Sequence, residues 1–321
     1  MVDGTLHVNG IGHPPPESRL DAIDTIGLQN SDMFHAIPTL SELYKLRMLE
    51  NKLGEEGMFV IISDLHLDKP QTLSKLESLF EGFYEMIPLT VFVCMGNFTS
   101  KPVSASKDGQ QTIMQYYDDL ANVISQFPNI AKNGRIIFIP GPNDPGMGGI
   151  MPRPPIPNYF TGSLKAKVRH AFFASNPCRI RYFSKELVFC RHDIVNNFRR
   201  NCIIAPVDVG GDCSDSSPLT GKNQLVKHAV KTMLDQCHLC PLSLATCPIF
   251  CQYDHALRLY PLPDAVIVGD RVDQYYENYA ECDVINPGSF TGDFSFVVYR
   301  PVGEVTSDDK VKSDVEFSQI D

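Results

Sequence analysis

The apolar positions of this chain follow two rhythms. Between residues 41 and 55, Leu43, Leu46, Leu49 and Leu53 recur at spacings of three and four, the period of a helix with one apolar face. From Met58 the period changes. Met58-Phe59-Val60-Ile61-Ile62 is an unbroken apolar run that predicts a buried strand over 58–63, and strand and helix signals alternate from there on. Helices are predicted over 73–87 and 113–127, and strands over 90–95 and 135–140. A helix over 163–175 precedes two strands, 178–183 and 186–190. Helices near 193–201 and over 223–236 flank a soft stretch at 209–218. Strands over 265–268, 282–285 and 294–299 complete the pattern, and no internal repeat is visible. This order predicts an α/β fold in which each early strand runs into a turn: Ser63-Asp64, Gly96-Asn97 and Gly141-Pro142-Asn143-Asp144. In open sheets of this kind ligands bind beyond the carboxyl ends of the strands, so these turns mark the expected site.

The flanks read differently. Residues 1–56 lack the apolar content of an independent core. Leu6-His7-Val8-Asn9 reads as a short strand, residues 10–16 as a Pro/Gly break, and residues 21–36 as polar and irregular, before a helix that leans on the domain that follows. Met151-Pro152-Arg153-Pro154-Pro155-Ile156-Pro157 reads as a stiff extended connector packed on its own domain. The tail, 303–321, is acidic and poor in apolar residues, which predicts disorder. A run of 18 apolar residues is missing, so a membrane span is not expected, and the first residues carry neither the basic region nor the apolar core of a secretory signal.

Charge narrows the partners. With 28 basic and 38 acidic residues, the formal net charge is −10, which opposes broad gripping of a polyanion. Any contact with nucleic acid would have to be local or supplied by a partner, and the composition favours protein partners. The ten cysteines are scattered through a long chain, which favours reduced thiols. Cys237 and Cys240, followed by Cys247 and Cys251, have paired spacings of the kind zinc uses. The second pair is CxxxC, the pairs lie close together, and Pro241 and Pro248 stiffen the link, so ordinary thiols are the expectation.

The chemistry concentrates at Ser63-Asp64-Leu65-His66-Leu67-Asp68. Two residues apart at a strand end, Asp64 and His66 leave on the same side. A strand ending in Asp-x-His resembles the start of the two-metal site of calcineurin-like phosphoesterases. Such a site holds two cations about 3.5–4 Å apart, which clamp the attacking and leaving oxygens. A bridging carboxylate offsets the repulsion between them. In that superfamily the bridge comes from a Gly-Asp turn, and here the turn reads Met95-Gly96-Asn97, with a neutral amide in its place. The next turn supplies Asn and His in the superfamily; here Pro142 has no donor atom and Asn143 cannot transfer a proton near neutral pH. His192, in Cys190-Arg191-His192-Asp193, falls near a lone His of the superfamily. Gly269-Asp270-Arg271-Val272 occupies the last motif without either imidazole. The positions Asp64, His66, Asn97, Pro142, Asn143, His192, Asp270 and Val272 thus read as a vestige of the site. Asp64 is expected to cap a turn and His66 to hydrogen-bond locally. The competing reading is a metal-dependent phosphodiesterase or nuclease using Asp64, His66, His192 and Asp270; separately, the residues leave room for at most one cation, held by Asp64, His66 and Asp270.

Longer strings sharpen the resemblance. Cys94-Met95-Gly96-Asn97-Phe98-Thr99-Ser100, Phe138-Ile139-Pro140-Gly141-Pro142-Asn143-Asp144-Pro145-Gly146 and Met151-Pro152-Arg153-Pro154-Pro155 resemble the B subunits of eukaryotic replicative DNA polymerases, above all the epsilon branch. Ser175-Asn176-Pro177-Cys178-Arg179-Ile180 and Ile285-Asn286-Pro287-Gly288-Ser289-Phe290 add to it. The resemblance implies a calcineurin-like phosphoesterase fold, stacked sheets flanked by helices, over residues 57–302. It implies that residues 1–56 are the end of an OB-fold (to about residue 37) plus a linker helix. It further implies a nuclear scaffold subunit without catalysis, metal, cofactor or small-molecule substrate, which grips the C-terminal region of the catalytic subunit of DNA polymerase epsilon within the complex. Phe160, Tyr182, Tyr253 and Tyr260 are the aromatic anchors such an interface would draw on.

Overall fold

The computed structural model describes residues 14–27, 38–53, 57–87, 89–146, 148–202, 220–303 and 313–320. The first half of the chain forms α1 (Arg19–Gly27), α2 (Leu40–Leu53), β1 (Met58–Ser63), α3 (Pro70–Gly82), β2 (Thr90–Met95), α4 (Lys107–Ser125), α5 (Pro128–Asn133), β3 (Arg135–Ile139), α6 (Asn158–Lys167) and β4 (Ala171–Phe173). The second half forms β5 (Cys178–Tyr182), β6 (Lys185–Arg191), α7 (Ile194–Asn201), α8 (Thr220–Asp235), β7 (Ala265–Gly269), β8 (Tyr275–Tyr279), β9 (Cys282–Asn286), α9 (Phe290–Asp293), β10 (Ser295–Arg300) and β11 (Asp314–Gln319).

These strands make two sheets. One has six strands in the order β11-β10-β1-β2-β3-β4, the other five in the order β5-β6-β7-β9-β8. Strands β1 to β4 run parallel, as do β6, β7 and β9, while β10, β11, β5 and β8 pair antiparallel at the flanks. Parallel strands buried on both faces need apolar residues at every position, which is why β1 to β3 read as continuous runs. Their alternate residues serve different cores. Phe59, Ile61, Val93, Met95 and Ile139 meet Leu187, Phe189, Ala265, Ile267 and Ile285 between the sheets. Val60, Ile62, Phe92, Cys94, Ile136 and Phe138 face outward against Leu76, Leu79, Phe80 and Leu120 of α3 and α4. On the far side Val188, Cys190, Val266 and Val268 pack against Val195 of α7 and Val230, Met233 and Leu234 of α8. The result is the expected α/β architecture of stacked sheets flanked by helices. Among the described residues, no helix is long and apolar enough to cross a membrane.

The connector 151–157 packs on its own domain. Met151 bridges Ile249, and Arg153 pairs with Asn176 through the Arg153 N–H to Asn176 C=O bond at 2.7 Å. Helix α2 leans on the domain through buried Leu43 and Glu50, whose carboxylate accepts from the Ser184 N–H at 3.1 Å and from the Ser184 hydroxyl.

Four expectations need correction. Residues 21–36 are not irregular throughout, because α1 covers Arg19–Gly27. That helix buries Ala22 and Ile23, and Arg19 reaches the Leu262 carbonyl at 2.7 Å and Glu186 at 3.0 Å. The helix predicted over 163–175 stops at Lys167, and Ala171–Phe173 becomes β4 beside β3, since Phe173 stacks on Phe138 at 4.9 Å. Strand β8, built around Tyr275 and Tyr276, was absent from the predicted set.

The tail is the largest correction. Instead of disorder throughout, Asp314–Gln319 forms β11 on β10, with six residues paired from Ser295↔Gln319 to Arg300↔Asp314. Its acids have partners: Arg300 meets Asp314 at 2.7 Å and Glu316 at 3.4 Å. Val315 joins the core between the sheets, and the Ser313 hydroxyl donates to the buried Asp283 carboxylate. Residues 314–319 therefore belong to the sheet and not to a separate tail. The short strand predicted at 6–9 and the soft stretch at 209–218 lie outside the described residues, as does most of the segment read as an OB-fold end.

Removing residues 304–321 is expected to cost on the order of 2–3 kcal/mol: about six ladder hydrogen bonds each contribute about 0.5–1.5 kcal/mol net, partly offset by the entropy of ordering the strand. The truncation should lower the midpoint of urea unfolding. It should also expose the β10 edge and promote self-association, visible on size-exclusion chromatography. An unchanged midpoint would mean that β11 contributes nothing.

Candidate functional site

The carboxyl ends of β1, β2, β3, β6 and β7 converge where the turns predicted a site. The Gly96 N–H donates to the Ile139 carbonyl at 2.7 Å, and the His192 N–H to that of Gly269 at 3.1 Å. Buried Asn176 joins the two sheets. Its amide donates to the Pro140 and Arg191 carbonyls at 2.9 Å each, and its oxygen accepts from the Arg191 N–H at 3.1 Å. Gly96 is required by close approach, because a Cβ there would run into the Asp144 carboxylate and the Gly141 amide.

Asp64 lies at the centre, buried and at a φ of 55°, a left-handed conformation that Asp tolerates better than most residues. One oxygen, Oδ1, receives four donors: the Asn97 N–H at 3.1 Å, Asn97 Nδ2 at 2.9 Å, Arg191 Nε at 3.2 Å and Arg191 Nη2 at 2.8 Å. Burial raises the pKa of this carboxyl, but the charge and hydrogen bonds of Arg191 outweigh it, and it sits below the ordinary carboxylate range.

Arg191 was not among the residues that the sequence marked, yet it occupies the pocket. It is fully buried at the end of β6. Nη1 donates to the Gly269 carbonyl at 2.9 Å and to Asp193 Oδ1 at 2.7 Å, so the guanidinium is held along two edges. Burial opposes its charge, while Asp64 and Asp193 more than reverse that effect and keep it protonated. Gly269 makes room for it: a Cβ there would stand 2.6 Å from Ser63 Oγ and 2.9 Å from Arg191 Cδ. A buried, paired and hydrogen-bonded guanidinium on an aspartate is a stable substitute for a cation on that aspartate.

The other marked residues have other tasks. Asn97 is a strut between turns, since its Oδ1 accepts from the Asn143 N–H at 2.8 Å while its amide holds Asp64. Asn143 Nδ2 donates to the Ser100 carbonyl at 3.2 Å, and Pro142 supplies only backbone. Asp144, beside them, accepts from the Phe98 N–H at 2.7 Å and the Gly141 N–H at 2.6 Å; burial pushes its carboxyl up to about 7. Asp270 Oδ2 accepts from the Val195 N–H at 2.9 Å, its Oδ1 has no hydrogen-bond partner among the described residues, and burial raises its pKa. Val272 packs in the outer core, and Arg271 reaches Asp193 at 3.6 Å.

Two sequence expectations fail here. Asp64 is more than a turn cap, because Arg191 is its main partner. His66 does not hydrogen-bond locally: among the described residues both ring nitrogens lack a hydrogen-bond partner, and Nε2 stands 3.9 Å from Asp64 Oδ1. Burial, as the largest influence, lowers its pKa and favours the neutral ring, against the pull of Asp64 and Asp68.

His192 turns elsewhere. Its Nε2 lies 3.9 Å from Cys247 Sγ, and the donor atoms of His192, Cys240 and Cys247 all lie within 4.8 Å of one another. Among the described residues this is the one group of three or more His, Cys, Asp or Glu side chains gathered so closely. Asp64, His66 and Asp270 are not so gathered, so the single-cation arrangement read from the sequence does not form. Nor is the four-cysteine set assembled: the Cys237 thiol donates to the Leu234 carbonyl at 3.3 Å, and Cys251 is exposed.

The pair of divalent ions that the two-metal reading requires does not fit these residues. Oδ1 of the Asp64 carboxylate is taken by a guanidinium and by Asn97, position 97 is a neutral amide, and Pro142 and Val272 offer no side-chain ligand. A second cation beside Arg191 would meet strong repulsion in a buried pocket.

Comparison with known proteins leads to the same family as the long strings around these turns. The family profile for the DNA polymerase alpha/epsilon B subunit matches residues 59–277. DNA polymerase epsilon subunit 2 of Bos taurus is 39% identical over 311 residues, 97% of this chain and 56% of that protein. The Homo sapiens protein of the same name is 38% identical over 97% of this chain and 56% of its own length. Its Mus musculus counterpart is 37% identical over the same shares, 97% and 56%. The chain thus spans about half the length of these relatives. Among solved structures, it is similar to a novel archaeal phosphodiesterase (TM-score 0.35, 14% identity, 81% of this chain and 99% of that one). Vps29 of Entamoeba histolytica complexed with Zn+2 is also similar (TM-score 0.31, 13% identity, 81% and 98%). With a profile match across residues 59–277 and long alignments to the epsilon subunits, this chain belongs to the DNA polymerase alpha/epsilon B-subunit family.

Proposed function

We propose that this protein is a non-catalytic scaffold subunit of DNA polymerase epsilon, working in the nucleus, that binds the C-terminal region of the catalytic subunit and meets DNA mainly through the complex. The observation that carries this reading is the state of Asp64. The carboxylate that a phosphoesterase would give to a metal is bonded instead to Arg191 and Asn97, at 2.8 and 2.9 Å. A fold that retains its sheets and turns while its pocket is filled by its own side chain serves shape better than chemistry. The names of the relatives support the assignment to the polymerase, and the net charge of −10 supports contact with proteins over direct gripping of DNA.

A lasting subunit interface buries well over ~1,000 Å² and rests on a few aromatic or Arg anchors. Of the four aromatic residues considered from the sequence, Tyr253 is exposed, Tyr182 packs edge-on to Phe59 at 5.7 Å, Phe160 packs on the outer core, and the Tyr260 hydroxyl donates to Glu17 at 2.6 Å. Tyr159 and Phe172, at 63% and 50% exposure, join Tyr253 as better anchors.

Affinity capture tests the proposal. The tagged chain is expected to retain the C-terminal region of the epsilon catalytic subunit through a wash at physiological salt. No retention would count against the scaffold role. Turnover of bis-p-nitrophenyl phosphate with Mn²⁺, abolished by Asp64→Ala, would restore the phosphodiesterase reading.

A further inference from the structure

Cys240 and Cys247 lie in the loop between α8 and β7, a segment tightly organised by its own backbone. The Cys240 N–H donates to His238 Nδ1 at 2.9 Å, and His238 Nε2 lies 3.1 Å from Asp254 Oδ1. The Cys247 N–H donates to the Ser243 carbonyl at 2.9 Å, and the Leu239 N–H to that of Leu257 at 2.9 Å. The loop is also stitched to the connector 151–157, because the Met151 N–H donates to the Pro248 carbonyl at 3.0 Å and the Phe250 N–H to that of Met151 at 2.8 Å. Both sulfurs are thereby fixed in the interior, with the two residues 1% and 3% exposed. His192 comes from a different part of the chain, the turn directly after β6. Its backbone is held by the Gly269 carbonyl at 3.1 Å, and its ring is aimed at Cys247.

From this arrangement we propose that His192, Cys240 and Cys247 bind one zinc ion, which staples the turn behind Arg191 to the loop between α8 and β7. The geometry suits a tetrahedral centre. With Zn–S about 2.3 Å and Zn–N about 2.0–2.1 Å, adjacent ligand atoms stand about 3.6–3.8 Å apart. The His192 to Cys247 separation of 3.9 Å is close to that edge, and all three donors lie within 4.8 Å of one another. Two thiols and an imidazole are the soft and borderline donors that zinc prefers over magnesium or calcium. Charge also balances. Zn²⁺ displaces the two thiol protons to solvent, and the ion with two thiolates and a neutral ring carries no net charge, which suits an interior site. Three protein donors are gathered among the described residues, so the fourth ligand of a tetrahedral centre would be a water.

This site is separate from the phosphoesterase pocket, whose Asp64 is engaged by Arg191. It follows a different ligand set from the CxxC…CxxxC spacing, using one cysteine from each pair and a histidine 55 residues before Cys247. Its consequence is mechanical. His192 follows Arg191 directly, so an ion on His192 ties the guanidinium that fills the pocket to the outer layer of α7 and α8.

The test is metal analysis of the full chain, purified with reductant from zinc-supplemented cells. About one zinc per chain is expected by plasma mass spectrometry. Cys247→Ser, Cys240→Ser and His192→Ala should each lose most of it, while Cys202→Ser, an exposed cysteine outside the set, should keep it. Replacing zinc with Co²⁺ in the unmodified protein should give the near-ultraviolet thiolate-to-cobalt band and tetrahedral visible absorption, a readout that does not depend on how well the variants fold. A metal-free chain after supplementation, or a zinc content unchanged in both Cys247→Ser and Cys240→Ser, overturns the proposal. So does a Cys240–Cys247 disulfide found in protein alkylated at lysis.

Discussion

Replacing Arg191 with methionine is expected to destabilise the protein by roughly 3–5 kcal/mol at neutral pH, the usual result of removing one partner of a buried ion pair. The methionine keeps most of the volume and removes the charge. Asp64 Oδ1 would then retain only its two bonds from Asn97, at 2.9 and 3.1 Å, and its carboxylate would remain in the interior without a counter-charge. The loss should depend on pH in a defined direction. In the native protein Asp64 is held below its ordinary pKa, so its contribution is present above the unfolded value of about 3.9 and is lost as pH falls through the folded value. In Arg191→Met the Asn97 bonds still favour the charged form, but burial, the largest influence, outweighs them and raises the same pKa, so the variant binds more protons folded than unfolded and becomes less stable as pH rises. The gap between the two proteins should therefore be widest near neutral pH and narrow toward pH 4. Urea unfolding at several pH values measures it. Asp64→Asn in the Arg191→Met background should recover part of the loss, because the buried charge is then gone. A gap independent of pH would show that Arg191 acts by packing alone.

The frame of this molecule was legible because its central strands are buried on both faces. Met58–Ser63, Thr90–Met95 and Arg135–Ile139 each fill two cores, so apolar residues run without interruption and the turns that follow stand out. The side chains that leave a two-metal site short of ligands, Asn97, Pro142 and Val272, are visible in the letters themselves. What fills the pocket is not. An arginine at a strand end is ordinarily read as exposed, and only the fold brings Asp64 against Arg191 from 127 positions away. A cue did exist: Arg191 follows directly on the apolar run Leu187-Val188-Phe189-Cys190, with Asp193 two residues on to share its charge. The tail shows a different failure. Averaged over 303–321 it is acidic, yet Asp314–Gln319 alternates polar and apolar residues at the period of a strand, and Arg300 neutralises the acids. His192 with Cys240 and Cys247 could not be read from spacing, because local cysteine patterns say nothing about a histidine on another layer.

An acid at position 97 should not create a metal site. Asn97→Asp is expected to cost about 2–3 kcal/mol near pH 7, through loss of the amide bond to Asp64 and the burial of a second acid beside it. Nδ2 now stands 2.9 Å from Asp64 Oδ1, and in the variant two carboxyl oxygens would meet at that distance. Two acids so close cannot both ionise freely, so one must hold a proton and its pKa rises. A folded state that binds more protons than the unfolded chain loses stability as pH rises, and the cost of Asn97→Asp should be larger at pH 8 than at pH 5. Arg191 can offset part of this penalty, but the same contact keeps a divalent ion away, since its guanidinium remains on Asp64 Oδ1 at 2.8 Å. Mn²⁺ is therefore expected neither to raise the melting temperature of Asn97→Asp nor to confer turnover of bis-p-nitrophenyl phosphate. Stabilisation by Mn²⁺, with hydrolysis that follows it, would mean that Arg191 yields the aspartate to a metal. The pocket would then be one substitution from catalysis, and the occupied Asp64 would no longer speak for a scaffold.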